Sequence, residues 1–132
     1  MKYFSLKEMT RSNTADARGI DNTPSIDEEV NLISLIENVL DPLREWYGKP
    51  IYVNSGFRNK ELNNAVGGAK SSQHLKGEAV DISTRGGYVE NKKIFDYIKA
   101  NLPYDQLIDE RNMSWIHVSY KESNNRFQVL KL

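Results

Sequence analysis

The apolar positions of this chain fall into a few runs of distinct period, separated by polar turns. In the longest, Ile26, Val30, Ile33, Val39, Leu40, Leu43 and Trp46 recur at helical spacing and predict one buried stripe. Ser25 and Glu28 have the spacing of a capping box. Asp27, Glu28 and Glu29 load the first turn with the negative charge that a helix N-terminus favours. Pro42 has no N–H to donate back along the helix, so a kink or a shift in hydrogen bonding is expected there. Gly48, followed by Lys49-Pro50, reads as the stop. A second helix is predicted over 90–101, with Ile94, Ile98 and Leu102 plus Phe95 or Tyr97 facing inward and Pro103 ending it. A shorter helical stretch over 59–66 closes on Gly67-Gly68.

Short β-rich runs predict strands at 51–53, 79–83, 105–109, 115–120 and 127–132, with the polar stretch 111–114 as a hairpin turn. Residues 1–24 are polar, with Phe4, Leu6 and Met9 as scattered anchors, and read as a packed N-terminal arm of loops and short helical turns. A few helices against one mostly antiparallel sheet make an α+β fold, a single domain over 1–132.

Composition narrows the function classes. A chain of 132 residues suits one domain with a real core. Eighteen basic and eighteen acidic residues give a formal net charge of zero, which argues against a nucleic-acid partner. With no cysteine, neither a disulfide framework nor a thiolate metal site can form. The segment 1–8 lacks the apolar core of a signal peptide, and no apolar run reaches the roughly 18 residues of a membrane span. The expectation is a monomer, made in the cytoplasm, without a membrane partner.

The chemistry concentrates in Ser72-Gln73-His74-Leu75-Lys76-Gly77-Glu78-Ala79-Val80-Asp81, which holds one of the two histidines and a carboxylate seven positions on. Imidazole and carboxylate suit zinc, and a catalytic zinc usually takes three protein ligands plus water. The other histidine, His117, alternates with Trp115 and Ser119 on one strand face, opposite Ile116 and Val118, and would complete a His, Asp, His set. Spacing alone also fits a loop histidine and a solvent-facing aspartate with no metal. Small residues at Gly77 and Ala79 suit a chain that folds back tightly between two ligands. Arg58 follows a strand and a glycine turn, from which its fork could clamp a substrate carboxylate or an oxyanion; a structural ion pair is the other reading.

The pattern Ser-x-His-x-x-Gly-x-Ala-x-Asp, met in full from Ser72 to Asp81, resembles the zinc motif of the M15 peptidases, which include D-alanyl-D-alanine carboxypeptidases, dipeptidases and phage endolysin peptidases. Trp115-Ile116-His117-Val118-Ser119 looks like the segment carrying their third ligand. Ser55-Gly56-Phe57-Arg58 and Val66-Gly67-Gly68-Ala69 are similar to the family's small single-domain branch. The resemblance implies the M15, Hedgehog-like zinc peptidase fold, with one zinc ion on His74, Asp81 and His117 and with Arg58 facing a peptidoglycan peptide; Ser72 and Gln73 either orient the metal loop through a hydrogen bond to a ligand histidine or touch the substrate. It also implies a wall-directed enzyme, with release of the cytoplasmic product to the cell wall. One feature departs from the pattern. Many relatives carry an acid three positions before the last histidine, where this chain has Ser114, which cannot serve as a base at neutral pH. Gln106-Leu107-Ile108-Asp109-Glu110 resembles a Gln-Leu-Ile-x-Glu segment of the small branch, which makes Glu110 the expected base and Asp109 the reserve. The missing acid also admits a zinc-stabilised binding module without catalysis.

Overall fold

The structure, a computed structural model, describes residues Met1–Leu132. Its elements run α1 (Leu6–Thr10), α2 (Asn13–Arg18), α3 (Ile26–Leu35), α4 (Asp41–Tyr47), β1 (Tyr52–Ser55), α5 (Lys60–Ala65), β2 (Ala79–Ser83), α6 (Gly87–Asn101), β3 (Gln106–Glu110), β4 (Trp115–Ser119) and β5 (Gln128–Lys131). The strands form one five-stranded sheet in the order β1-β2-β4-β3-β5. All pairs are antiparallel except β3 with β5, which is parallel because the chain must cross β3 after leaving β4. The fold is α+β, with helices packed on one face of the sheet.

That face carries Val80, Ile82, Leu107, Ile116 and Val118, all fully buried. Against it lie Leu32, Leu35, Ile36, Val39, Leu40 and Leu43 of the long helical run, and Ile94, Phe95 and Ile98 of α6. The stripe expected from the sequence is therefore corrected at its two ends. Ile26 is 80% exposed, Val30 49% and Trp46 47%. Two apolar sets share helical spacing here, and packing selects the denser one, since each buried aliphatic side chain contributes about 1.5–3 kcal/mol. Trp46 instead stacks on Tyr97 of α6, with centroids 4.0 Å apart. Pro42 shifts the hydrogen bonding without breaking the helix. The segment Ile36–Leu40 widens into a π-helical turn, and Asp41 N–H bonds to the Ile36 carbonyl. The capping box at Ser25 and Glu28 forms as expected.

The N-terminal arm is built into the domain. Phe57 N–H donates to the Met9 carbonyl at 2.7 Å. Buried Asn22 donates to the carbonyls of Thr10 and Phe57 and accepts from Asn59 N–H. A side chain on Gly56 would collide with the Met9 carbonyl, so only glycine admits α1 this close to the loop that follows β1.

The crossing to β5 is pinned by Asp105, which is fully buried. Its carboxylate accepts from the Arg126 backbone N–H and from the Arg126 guanidinium, the closest contact being 2.7 Å. These hydrogen bonds outweigh burial and hold the Asp105 carboxyl down at about 2. A depressed acid stabilises the fold above its unfolded pKa and loses that contribution as pH falls through the folded value. Chemical unfolding should therefore show wild type losing stability between about pH 4 and about pH 2, with a shallower loss in Asp105→Asn. Equal slopes for the two proteins would contradict this.

Candidate metal centre

The sheet face opposite the core carries the site, and the strand register decides which side chains share it. Asp81 on β2 and Ile108 on β3 both pair with His117 on β4, and Glu110 pairs with Trp115. Cross-strand partners point to the same side of a sheet, so Asp81, His117, Trp115, Ile108 and Glu110 face one cleft. His74 enters from the single 3₁₀ turn Gln73–Lys76 before β2. The Ser72 hydroxyl caps that turn by accepting from His74 N–H. Gly77 ends it in the left-handed conformation, φ 73°, where a Cβ would lie 2.6 Å from the Glu28 carbonyl oxygen. The tight return between His74 and Asp81 thus depends on glycine for its backbone angle and for the close approach of α3.

The three ligand atoms converge. His74, Asp81 and His117 can each offer one donor atom, all within 4.8 Å of one another. His74 Nδ1 donates to the Gly56 carbonyl at 2.7 Å, which orients the ring and turns Nε2 toward Asp81. His74 Nε2 lies 3.4 Å from Asp81 Oδ1, and His117 Nδ1 lies 3.0 Å from the same oxygen. A lone pair and a carboxylate oxygen this close repel unless a proton or a cation stands between them. Two imidazoles and a carboxylate are also the donor set zinc prefers in an open site. The residues fit the ion.

Glu110 and Asp109 part ways. Glu110 lines the cleft with His74, Asp81 and His117, in a cavity of about 440 Å³. Asp109 pairs with Ile116 on the core side, is buried, and accepts from Met113 N–H at 2.6 Å. It supports a turn in which Arg111, Asn112 and Met113 all have positive φ, a conformation costing roughly 1–2 kcal/mol for each non-glycine residue. Asn91 holds the same turn by donating to the Met113 carbonyl. Ser114 is exposed in it, with its hydroxyl donating to the Arg111 carbonyl. Asp109→Ala is therefore expected to lower stability by about 1–3 kcal/mol and to leave zinc content unchanged. An unchanged unfolding midpoint with loss of zinc would overturn the separation of the two acids.

The profile of the peptidase M15 family matches residues 2–119. The chain belongs to the M15 peptidase family. The match reaches back through the arm to residue 2, in keeping with the packing of α1 and α2 into the domain. A 34-residue stretch is 53% identical to the zinc D-Ala-D-Ala carboxypeptidase of Streptomyces albus G, covering 26% of this chain and 13% of that protein. The matched stretch thus spans well under two thirds of that relative.

In this M15 peptidase the charge around the ligands is uneven. Burial pushes the Asp81 carboxyl up, but hydrogen bonds from His117 and His74 outweigh it and hold the group well below the usual carboxylate range. Burial lowers the Arg58 guanidinium, with the charge of Asp81 opposing. Arg58 makes no side-chain ion pair, and its Nε is buried without a partner, so the structural-pair reading of this arginine does not hold. Gln73 also lines the cleft, with a buried, unpartnered Oε1. Residues to which the sequence gave no role in the site also line the wall, among them Ser71, Gln106, Ile108, Trp115 and Arg126. Alternation along β4 carries a signal for Trp115, while Arg126 arrives from an irregular loop that carries none. The Gly56 carbonyl that orients His74 is backbone, which side-chain patterns do not reveal. No helix is long and apolar enough to cross a membrane.

Proposed function

We propose that this M15 peptidase is zinc-dependent and hydrolyses a peptide bond in bacterial cell-wall stem peptides. The observation that carries the reading is the convergence of His74, Asp81 and His117 on the sheet face that also bears Glu110. His74 Nε2, Asp81 and His117 Nδ1 would hold the ion, with the Gly56 carbonyl fixing the His74 ring. Zinc, when bound, supplies Lewis acidity, which lowers the pKa of water to about 7 and polarises a peptide carbonyl. Glu110 takes the proton of the attacking water and returns it to the leaving amine, the work of a general base and then a general acid. Arg58 holds substrate through charge-assisted hydrogen bonds, and Gln73 accepts from a substrate N–H. Ser72 caps the turn that carries His74 and also lines the cleft, so it orients the metal loop and borders the substrate.

The wall-peptide assignment draws on the name of the Streptomyces relative and on the motif resemblance. Release of the protein to the cell wall follows from that substrate. The test is mass spectrometry of stem peptides containing D-Ala-D-Ala and L-Ala-D-Glu bonds, incubated with the native, chelated and zinc-restored protein. Cleavage of one bond, lost on chelation and restored by zinc, is expected. Bound zinc with no cleavage across the panel would favour the second reading, a zinc-stabilised binding module, which the serine at 114 in place of an acid supports.

A further inference from the structure

Alternate residues of a strand share a face, so the row that β3 turns to the cleft is Gln106, Ile108 and Glu110. Ile108 pairs with His117, which centres the row on the metal ligands. At roughly 3.3 Å per residue, Glu110 stands about 6.6 Å along the strand from that centre, and Gln106 about as far the other way. The proposed base thus occupies one end of the row. The other end carries two polar side chains with no part in the zinc chemistry: Gln106 itself, and Arg126, which is tied to the neighbouring Asp105.

Each is held in a set orientation. Gln106 donates through Nε2 to Gln128 Oε1 at 2.7 Å, which fixes the amide and leaves its own Oε1 as an acceptor. Arg126 engages the fully buried Asp105 carboxylate through Nε and Nη2. Two points of attachment fix the plane of a guanidinium. Neutralising Asp105 uses one edge of that fork. The remaining nitrogen, Nη1, is left for the cleft, which the half-exposed side chain lines. The backbone that carries Arg126 is set as firmly. Asn125 closes the loop by accepting from Lys121 N–H and donating to the Lys121 carbonyl. Phe127, next in the chain to Arg126, has φ 52°, and Asn124 has φ 59°. Non-glycine residues take this left-handed conformation only where the surroundings impose it. The end of the cleft away from Glu110 therefore offers one donor and one acceptor, both pre-oriented.

We propose that Gln106 and Arg126 form a subsite for the main chain of one substrate residue, whose C=O accepts from Arg126 and whose N–H donates to Gln106 Oε1. The N–H and C=O of one residue point to the same side of an extended chain, as they do in antiparallel pairing, so a donor and an acceptor side by side match them. A site built for an anion has no use for the acceptor. Ile108 lies between this subsite and the Glu110 end of the row and gives an apolar floor for a small side chain. A separation of about 6.6 Å is roughly two residues of extended chain, so the residue held here is one or two positions from the reacting bond. The inference rests on the peptidase reading and deepens it. Gln106 and Arg126 are specificity-determining residues that select a peptide extending past the reacting bond over an isolated dipeptide.

The test measures binding separately from cleavage. Glu110→Gln protein supplied with zinc is titrated by NMR with a stem peptide containing both D-Ala-D-Ala and L-Ala-D-Glu. The titration is repeated with ester twins in which one backbone N–H at a time is replaced by oxygen. One ester outside the reacting bond should weaken binding by about five- to tenfold, the scale of leaving one acceptor unpaired. In Gln106→Leu protein the same ester should cost nothing further, because its partner is gone. Arg126→Lys keeps a cation on Asp105 while removing the fork. It should weaken every peptide by about the same factor at unchanged zinc content. A purely structural Arg126 would instead shift the unfolding midpoint and leave affinity alone. No sensitive ester position, no binding of the parent peptide, or an ester loss that persists in Gln106→Leu protein still holding its zinc would overturn the subsite. So would full affinity in Arg126→Lys. Turnover by the wild type reports on the peptidase reading alone: ester sensitivity without turnover would keep the subsite and remove the enzyme, and turnover without ester sensitivity would do the reverse.

Discussion

Glu110→Gln is expected to lower kcat by roughly 10²–10⁴-fold, the range typical of losing a positioned proton-transfer group. The substitution keeps the shape of the side chain and its place beside Trp115 on the cleft face, but removes the basic oxygen. Since Glu110 is not among the three converging ligands, zinc content should stay at the wild-type value. KM should change little, because a general base acts on the proton rather than on ground-state binding. Steady-state kinetics beside metal analysis checks both. Full activity in Glu110→Gln would remove it as the base, and because Asp109 faces the core, the search would have to leave β3.

The second large effect is on the metal. His117→Ala removes one of three ligands and leaves His74 and Asp81, a pair too weak to retain zinc unaided. Affinity should fall by more than the roughly 10–100-fold that losing a mere supporting hydrogen bond costs. A ligand that binds only the folded state raises stability by mass action, so added zinc should raise the wild-type Tm and leave that of His117→Ala nearly unmoved. Thermal unfolding in zinc-buffered and chelated solution reads this directly. An equal zinc-induced shift in both proteins would place the ion elsewhere.

The converging trio was legible in the sequence because each member sits at a constrained point. His74 and Asp81 fall in a ten-residue pattern whose Gly77 needs a positive φ and close contact with α3. His117 shows in strand alternation. The long helix was legible as a helix, but which of its two apolar sets faced inward was not. Leu32, Leu35 and Ile36 win over Ile26 and Val30 through packing against the sheet, which local spacing does not encode. The choice between Asp109 and Glu110 was likewise hidden, because Leu107 and Ile108 are both apolar and blur the alternation of β3. Register with β4 resolves it: Ile108 lies beside His117, so its neighbour Asp109 turns to the core. The parallel pairing of β5 and the place of Arg126 on the cleft depend on contacts between segments far apart in the chain, to which no local period answers.

The proposed chemistry requires one zinc ion on His74, Asp81 and His117. X-ray absorption at the zinc edge of the zinc-loaded wild-type protein tests it most directly. One ion per chain is expected, with a first shell of nitrogen and oxygen at about 2.0–2.2 Å and the outer-shell scattering of two imidazoles. Failure to retain zinc, or a shell without histidine scattering, would contradict it.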